Sequence, residues 1–194
     1  VTNPSIAPKK STKKTLYVMF ILFFLPFLAA TLAYSLRDSL ILTTKNYGEL
    51  INPPQSIQDF SLLTMQGNGV SKEALLGKWS LVLIAPKNCT DCTHQVEKIT
   101  SVFYALNRDS TRVRRLVLNA QPDDVFIPSD SEIMTYVISA DNNNPFVKEL
   151  TQNTASKILL VDPLGNIVMR YPADAQGNGI LRDMLQLLKV SRIG

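Results

Sequence analysis

Seven uncharged residues, Trp79 to Ala85, run toward the tetrad Cys89-Thr90-Asp91-Cys92, and beyond it Val96, Ile99, Val102, Phe103 and Leu106 recur at helical spacing. No other feature limits the fold as tightly. A buried strand must lead through a short turn into an amphipathic helix, with two thiols at the junction. Cysteines three apart at a helix start share a face, close enough for a disulfide or for joint coordination of a soft metal. They are the only cysteines in the chain, so neither has another intrachain partner. The spacing points to a redox or thiol–metal site.

In such a site the helix N-terminus stabilises thiolate at Cys89, the outer and attacking cysteine, and Cys92 is the resolving thiol. Asp91 opposes that thiolate by like charge, and Lys87 partly offsets it. Two blander readings compete: a disulfide that staples the helix start, or unpaired packing thiols. An exported domain lies in an oxidising compartment, which favours a staple. A loop of so few residues gives it little entropic leverage, which does not. His94, the single histidine, is two residues past Cys92, about 200° around the helix, and is expected at the surface. Trp79 is expected in packing, and Met65, Met134, Met169 and Met184 as core filler rather than thioether ligands.

Residues 15–36 carry no charge. At about 1.5 Å per residue such a helix crosses a bilayer core of about 30 Å. Lys9, Lys10, Lys13 and Lys14 precede it, whereas Arg37 and Asp38 nearly cancel after it. The positive-inside rule then keeps the N-terminus in the cytoplasm and exports the rest. A cleaved signal peptide is the competing reading, but its apolar core is usually about 7–15 residues. Here Leu32, Tyr34 and Leu36 crowd the end, and Thr31-Leu32-Ala33 is a weak cleavage site. Pro26 is tolerable within a membrane helix.

The net charge of +4 is a topology signal. All 16 acidic residues and 16 of the 20 basic ones lie after Leu36, so the exported part is neutral. Arg112, Arg114 and Arg115 form its only local basic cluster. Nucleic acid is not an expected partner.

Four segments follow: a cytoplasmic basic tail at 1–14, the anchor at 15–36, an extended linker at 37–57 and one domain at 58–194. In the domain, a short strand is expected within Phe60–Thr64, then a turn at Gln66-Gly67-Asn68-Gly69 and a helix start capped by Ser71 and ended by Gly77. Strands are expected at 79–85, 114–119, 133–139, 157–161 and 167–171, the last two joined by Asp162-Pro163-Leu164-Gly165-Asn166. Helices are expected at 90–107, from Pro145 to Leu150, and at 179–190 with Ile180, Leu181, Met184, Leu185 and Leu188 on one face. This order predicts an α/β plan with helices on both faces of a sheet.

Several segments together carry a family resemblance: the lysines before the anchor, Lys45-Asn46-Tyr47-Gly48-Glu49-Leu50-Ile51 before Pro53-Pro54, and Gly77-Lys78-Trp79 leading to Cys89 and Cys92. Leu159-Leu160-Val161 before the Asp162–Asn166 turn and the ending Leu188–Gly194 complete the set. The chain resembles the thioredoxin-like Sco/SenC group, membrane-anchored proteins that support assembly of the copper site of cytochrome c oxidase. It is similar above all to small bacterial anchored proteins usually encoded among oxidase assembly genes. The resemblance implies a thioredoxin-like fold after one transmembrane helix, in the bacterial inner membrane with a periplasmic domain. It implies oxidase subunits or assembly factors as partners, with Cys89 and Cys92 acting in thiol–disulfide exchange. Copper(I), held by the same two cysteines, is the one cofactor it leaves open. A non-catalytic assembly factor using the fold as an interaction module is the alternative. Two departures bear on this. The Sco pattern is CxxxC, with a copper-binding histidine before the strand that ends in the Asp-Pro turn. Here the spacing is CxxC, and Gln152-Asn153-Thr154-Ala155-Ser156 holds no histidine. Ser156 also stands where thioredoxins place a cis-proline.

Overall fold

The structure is a computed structural model that describes residues 12–35, 46–152, 155–191 and 193. Most of the basic tail, Arg37, Asp38, the first half of the expected linker, and Asn153 and Thr154 lie outside the described residues. The chain divides into two compact units at Lys45 and Asn46. The first holds helix α1, Thr12–Ser35, with Pro26 inside it. Residues Lys13–Leu32 have a mean hydropathy of 2.2, long and apolar enough to cross a membrane. Thr31 and Ser35 donate their hydroxyls to Leu28 and Thr31 carbonyls, so these polar side chains are satisfied within the helix.

The second unit is built on a seven-stranded sheet. Its strands are β1 (Glu49–Ser56), β2 (Leu62–Leu63), β3 (Trp79–Ala85), β4 (Val113–Asn119), β5 (Met134–Ile138), β6 (Lys157–Val161) and β7 (Asn166–Pro172). The order is β1-β7-β6-β3-β4-β5-β2. β3 pairs parallel to β4 and antiparallel to β6, placing Val82 opposite both Leu116 and Leu159. Every residue of β3 is buried, as befits a strand covered on both faces.

Alternation along β3 sorts the core into two halves. Trp79, Leu81, Leu83 and Ala85 meet α2 (Cys92–Ala105) and α4 (Gly177–Val190) through Val96, Ile99, Val102, Ile180, Met184 and Leu188. Val82 and Ile84 face the other way, onto Ile57, Phe60 and α3 (Pro145–Gln152) through Val147 and Leu150. Helices therefore cover both faces, as the thioredoxin-like expectation requires. Met169 and Met184 fill the core as expected, whereas Met65 and Met134 are exposed. Leu185, expected on the inner face of α4, is also exposed, because the buried stripe follows Ile180, Met184 and Leu188.

Part of the expected linker is sheet. Glu49–Ser56 pairs antiparallel with β7, and its register breaks between Leu50 and Gln55. The prolines fall in that break, and an edge strand tolerates residues that cannot donate to a ladder. The helix expected after Ser71 is a single 3-10 turn, Lys72–Leu75, because the Ser71 hydroxyl turns to Glu73 rather than to a backbone N–H. The turn between β6 and β7 is fixed by Asp162, whose carboxylate accepts N–H from Leu164 at 2.9 Å and from Asn166 at 2.8 Å. Gly165 takes φ +90° there, a conformation glycine alone adopts at little cost.

Candidate functional site

The site forms where β3 ends and α2 begins. The chain leaves Ala85, turns through Asn88 at φ 53°, and enters the helix at Cys92 with Asp91 as N-cap. The helix thus starts within about two residues of its expected boundary, and Asp91 makes no side-chain capping bond because its carboxylate goes to other partners. Cys89 and Cys92 are joined in a disulfide with Cα atoms 5.6 Å apart. Cys92 is fully buried against the α2–α4 core, whereas Cys89 keeps part of its surface in solvent. The outer sulfur is the one an incoming group reaches first.

Asp91 is central to the local electrostatics. Its Oδ1 lies 3.3 Å from Cys89 Sγ. Both sulfurs are in the disulfide, so this is a charge contact; on reduction the Cys89 thiol gains a proton to donate there. Oδ2 accepts the Ser156 hydroxyl at 2.5 Å and Gln95 Nε2 at 3.0 Å. Gln95 Nε2 also donates to the Ala173 carbonyl at 2.8 Å. Ser156 and Gln95 are almost wholly buried, so the carboxylate is held from two elements at once. Lys87, the cation expected to offset it, is directed to Asp123 at 2.9 Å; that pairing raises the lysine pKa. Asp91 is therefore the charged group in contact with the outer sulfur.

The loop after β4 braces the cysteine turn. Asp123 takes Lys87, and Asp124 accepts the backbone N–H of Asn88. Buried Asn119 fixes that loop by accepting Phe126 N–H at 2.7 Å and donating to the Phe126 carbonyl at 3.2 Å. On the other flank, Lys98 Nζ donates to the Ala173 carbonyl at 2.8 Å. Its burial lowers the ammonium pKa, against the raising influence of Asp91 and Asp174.

His94 is exposed and borders a cleft of about 570 Å³ with Lys98, Gln176 and Asn178, away from the sulfurs. Trp79 is buried, its indole N–H 3.4 Å from Ser191 Oγ. The arginines of the basic cluster are engaged: Arg112 with the Leu188 and Ser191 carbonyls, Arg114 with those of Ala74 and Leu76, Arg115 with Asp130 and Glu132. Among the described residues, Cys89, Asp91 and Cys92 are the cluster whose donor atoms gather within 4.8 Å. The roles of Ser156 and Gln95 toward Asp91 were not read from sequence. Gln95 follows Asp91 by four, a helical neighbour spacing that gave a signal; Ser156 is distant in sequence and gave none.

In fold the unit is similar to Arabidopsis thaliana ScoI with copper bound, at 14% identity and TM-score 0.54, covering 75% of this chain and 99% of that one. It is similar to yeast Sco1 with copper bound, at 18% identity and TM-score 0.51, over 74% and 95%. It is similar also to BsSco, a member of the Sco family of cytochrome c oxidase assembly proteins with a disulfide switch, at 17% identity and TM-score 0.52, over 74% and 100%. No curated protein matches the sequence. The family described as transmembrane-like, thioredoxin-like, C-terminal domain matches residues 79–191, more than half of the sequence, and the chain belongs to that family.

Proposed function

We propose that this chain is a membrane-anchored, exported thioredoxin-like protein that supports assembly of the copper site of cytochrome c oxidase by thiol–disulfide exchange, with transient copper(I) handling as a second use of the same sulfurs. One observation carries the reading: a Cys89–Cys92 disulfide at the β3–α2 junction with its inner sulfur buried and its outer one accessible. Fold neighbours described as copper-bound, or as having a disulfide switch in oxidase assembly, support it. Lys9, Lys10, Lys13 and Lys14, ahead of the uncharged stretch 15–36, support a cytoplasmic N-terminus and a periplasmic domain at the bacterial inner membrane.

In the reduced chain, Cys89 thiolate attacks one sulfur of a partner disulfide. That S–S bond breaks as the mixed disulfide forms, and the released partner thiolate takes a proton from solvent. Cys92 then gives up its proton and attacks Cys89 Sγ, releasing the second partner thiolate, which is protonated in turn. Two electrons have passed to the partner, and the chain ends as the disulfide seen here. A dithiol reductant returns it to the start. Copper(I) as cargo fits the reduced donor set, two soft thiolates from Cys89 and Cys92, and not the disulfide.

A non-catalytic assembly factor is the second reading, favoured by the serine that stands before β6 in place of proline and by the missing histidine. A Cys89→Ser, Cys92→Ser double variant, scored for oxidase activity at limiting copper, separates the two. Lost activity is expected; full activity makes the domain an interaction module. Protease added to intact spheroplasts should digest the region after Leu36, and its protection would overturn the exported orientation.

A further inference from the structure

Beside the disulfide lies a groove of about 260 Å³ between the outer side of α2 and the loop after β4. Val96 forms its floor, Thr93 its cysteine end, and Phe126, Ile127 and Pro128 its far wall. Small-molecule pockets usually run to about 300–1,000 Å³, so this one suits a side chain of an extended segment. Its wall is preset: Asn119 holds Phe126 through both backbone groups, and Asp123 and Asp124 tie the same loop to Lys87 and Asn88. Ile127 is 66% exposed on that fixed wall. The groove begins one residue past Cys92, so a partner delivering a sulfur to Cys89 brings its flanking residues onto it.

Both charged residues that line the groove, Glu97 and Asp130, are acidic, and the stretch of chain that supplies its far wall is acidic too. From Leu116 to Val147 there is no Lys, Arg or His, while Asp123, Asp124, Asp130, Glu132 and Asp141 fall in that stretch. The region after Leu36 as a whole is neutral, so this is a local excess. Among the described residues three cations reach the segment: Lys87 pairs with Asp123, buried Arg115 with Asp130 and Glu132, and Lys148 Nζ donates to Asn143 Oδ1 at 3.3 Å. Glu97 lines the groove with its carboxylate unpaired among the described residues. Lys98 stands on the opposite flank, turned to the Ala173 carbonyl.

We propose that this groove docks a basic protein segment that carries an apolar residue beside the cysteine to be exchanged. The proposal rests on the exchange reading and names the chemistry of its partner. The apolar residue seats against Ile127 and Phe126, while flanking Lys or Arg residues meet Glu97 and the acidic loop. Complementary charge of this kind acts mainly on encounter rate and fades as salt screens it.

The test uses the full chain in a neutral detergent, reduced and freed of reductant. Two peptides each carry one cysteine capped with glutathione and one adjacent leucine; lysines flank it in one and glutamates in the other. Rates of glutathione release are divided by those given by dithiothreitol with the same peptides, removing the intrinsic reactivity of each disulfide. The lysine peptide is expected to react about tenfold faster at low salt, with the preference falling below about threefold at high salt. Glu97→Lys should cut the low-salt preference severalfold, and Ile127→Ser should slow the lysine peptide but not a version with glycine for leucine. A normalised preference within twofold, or one unaffected by salt and by Glu97→Lys, overturns the docking assignment and leaves exchange intact. Failure to release glutathione from either peptide overturns the exchange reading, and this proposal with it.

Discussion

Ser156 Oγ lies 2.5 Å from Asp91 Oδ2, joining the residue before β6 to the carboxylate between the two cysteines. The other oxygen of that carboxylate faces Cys89 Sγ at 3.3 Å. A negative charge so near an attacking sulfur disfavours its thiolate, and Ser156 and Gln95 keep the charge in place. Asp91→Asn should therefore speed iodoacetamide alkylation of Cys89 in the reduced protein at neutral pH, roughly three- to tenfold. Ser156→Ala removes a buried donor from a charged acceptor and should lower stability by about 1.5–3 kcal/mol in urea unfolding, with Ser156→Thr retaining most of it. An alkylation rate unchanged in Asp91→Asn means that the charge is not felt at the sulfur.

Periodicity made the core elements legible. The boundaries of β3 and β6 match the apolar runs at 79–85 and 157–161, since buried strands are continuous apolar segments bounded by turns. β1 was hidden because Asn52-Pro53-Pro54 reads as a breaker, and only its place at the sheet edge makes it tolerable. The cysteine pair was legible from local spacing. Its electrical surroundings were not, because they come from contacts spanning 65 positions from Asp91 to Ser156 and 36 positions from Lys87 to Asp123 and from Asn88 to Asp124. Asp183 lies in the last helix, and its spacing in the sequence marks no special role. It is instead a buried acceptor for Tyr47 N–H, Gly48 N–H and the Tyr171 hydroxyl, each at 2.9 Å from Oδ2.

That cluster gives an alkaline signature. Burial first, then the Asp183 charge and the hydrogen bond to it, push the Tyr171 phenol well above its ordinary value of 10.0. Above about pH 10 the unfolded chain loses this proton while the native one keeps it, so the contribution is whole below that pH and is lost as pH rises. The slope from this one group approaches about 1.4 kcal/mol per pH unit. Urea unfolding of the full chain in detergent from about pH 8 to about 11 should show this excess loss in the parent and not in Tyr171→Phe. Parallel curves would place the proton elsewhere.

Two glycines seat the segment after the membrane anchor on the domain. A Cβ at Gly179 would stand 2.8 Å from Tyr47 Cγ, and one at Gly48 would stand 2.6 Å from Tyr171 Cε1. Neither ring atom is the free end of a flexible chain. Alanine usually strengthens a helix by about 1 kcal/mol over glycine, yet overpacking costs about 1–3 kcal/mol. Gly179→Ala is expected to destabilise by about 1–2 kcal/mol, and Gly48→Ala by at least as much, since buried Tyr171 is pinned by Asp183. A stabilised Gly179→Ala protein would show that Tyr47 moves aside freely.

The unequal burial of the two cysteines predicts unequal behaviour of their single variants. Cys92 has no solvent-accessible surface and packs with Val96 and Ile99, while Cys89 lies in the turn ahead of the helix. In a working pair, the accessible thiol forms the mixed disulfide and the buried one resolves it. Cys92→Ser keeps the attacking thiol and removes the resolving one, so it should accumulate mixed disulfides with glutathione or with protein partners. Cys89→Ser leaves a thiol that partners cannot approach and should accumulate few. Incubating each purified full-length variant with oxidised glutathione and weighing the products by intact mass spectrometry gives the ratio directly. At least about tenfold more adduct on the Cys92→Ser protein at early times is expected, given how strongly access governs thiol exchange. Equal adduct on both variants would mean that the helix start opens readily and that burial does not set the order of attack. Adduct on neither would identify the disulfide as a staple, and the domain as an interaction module.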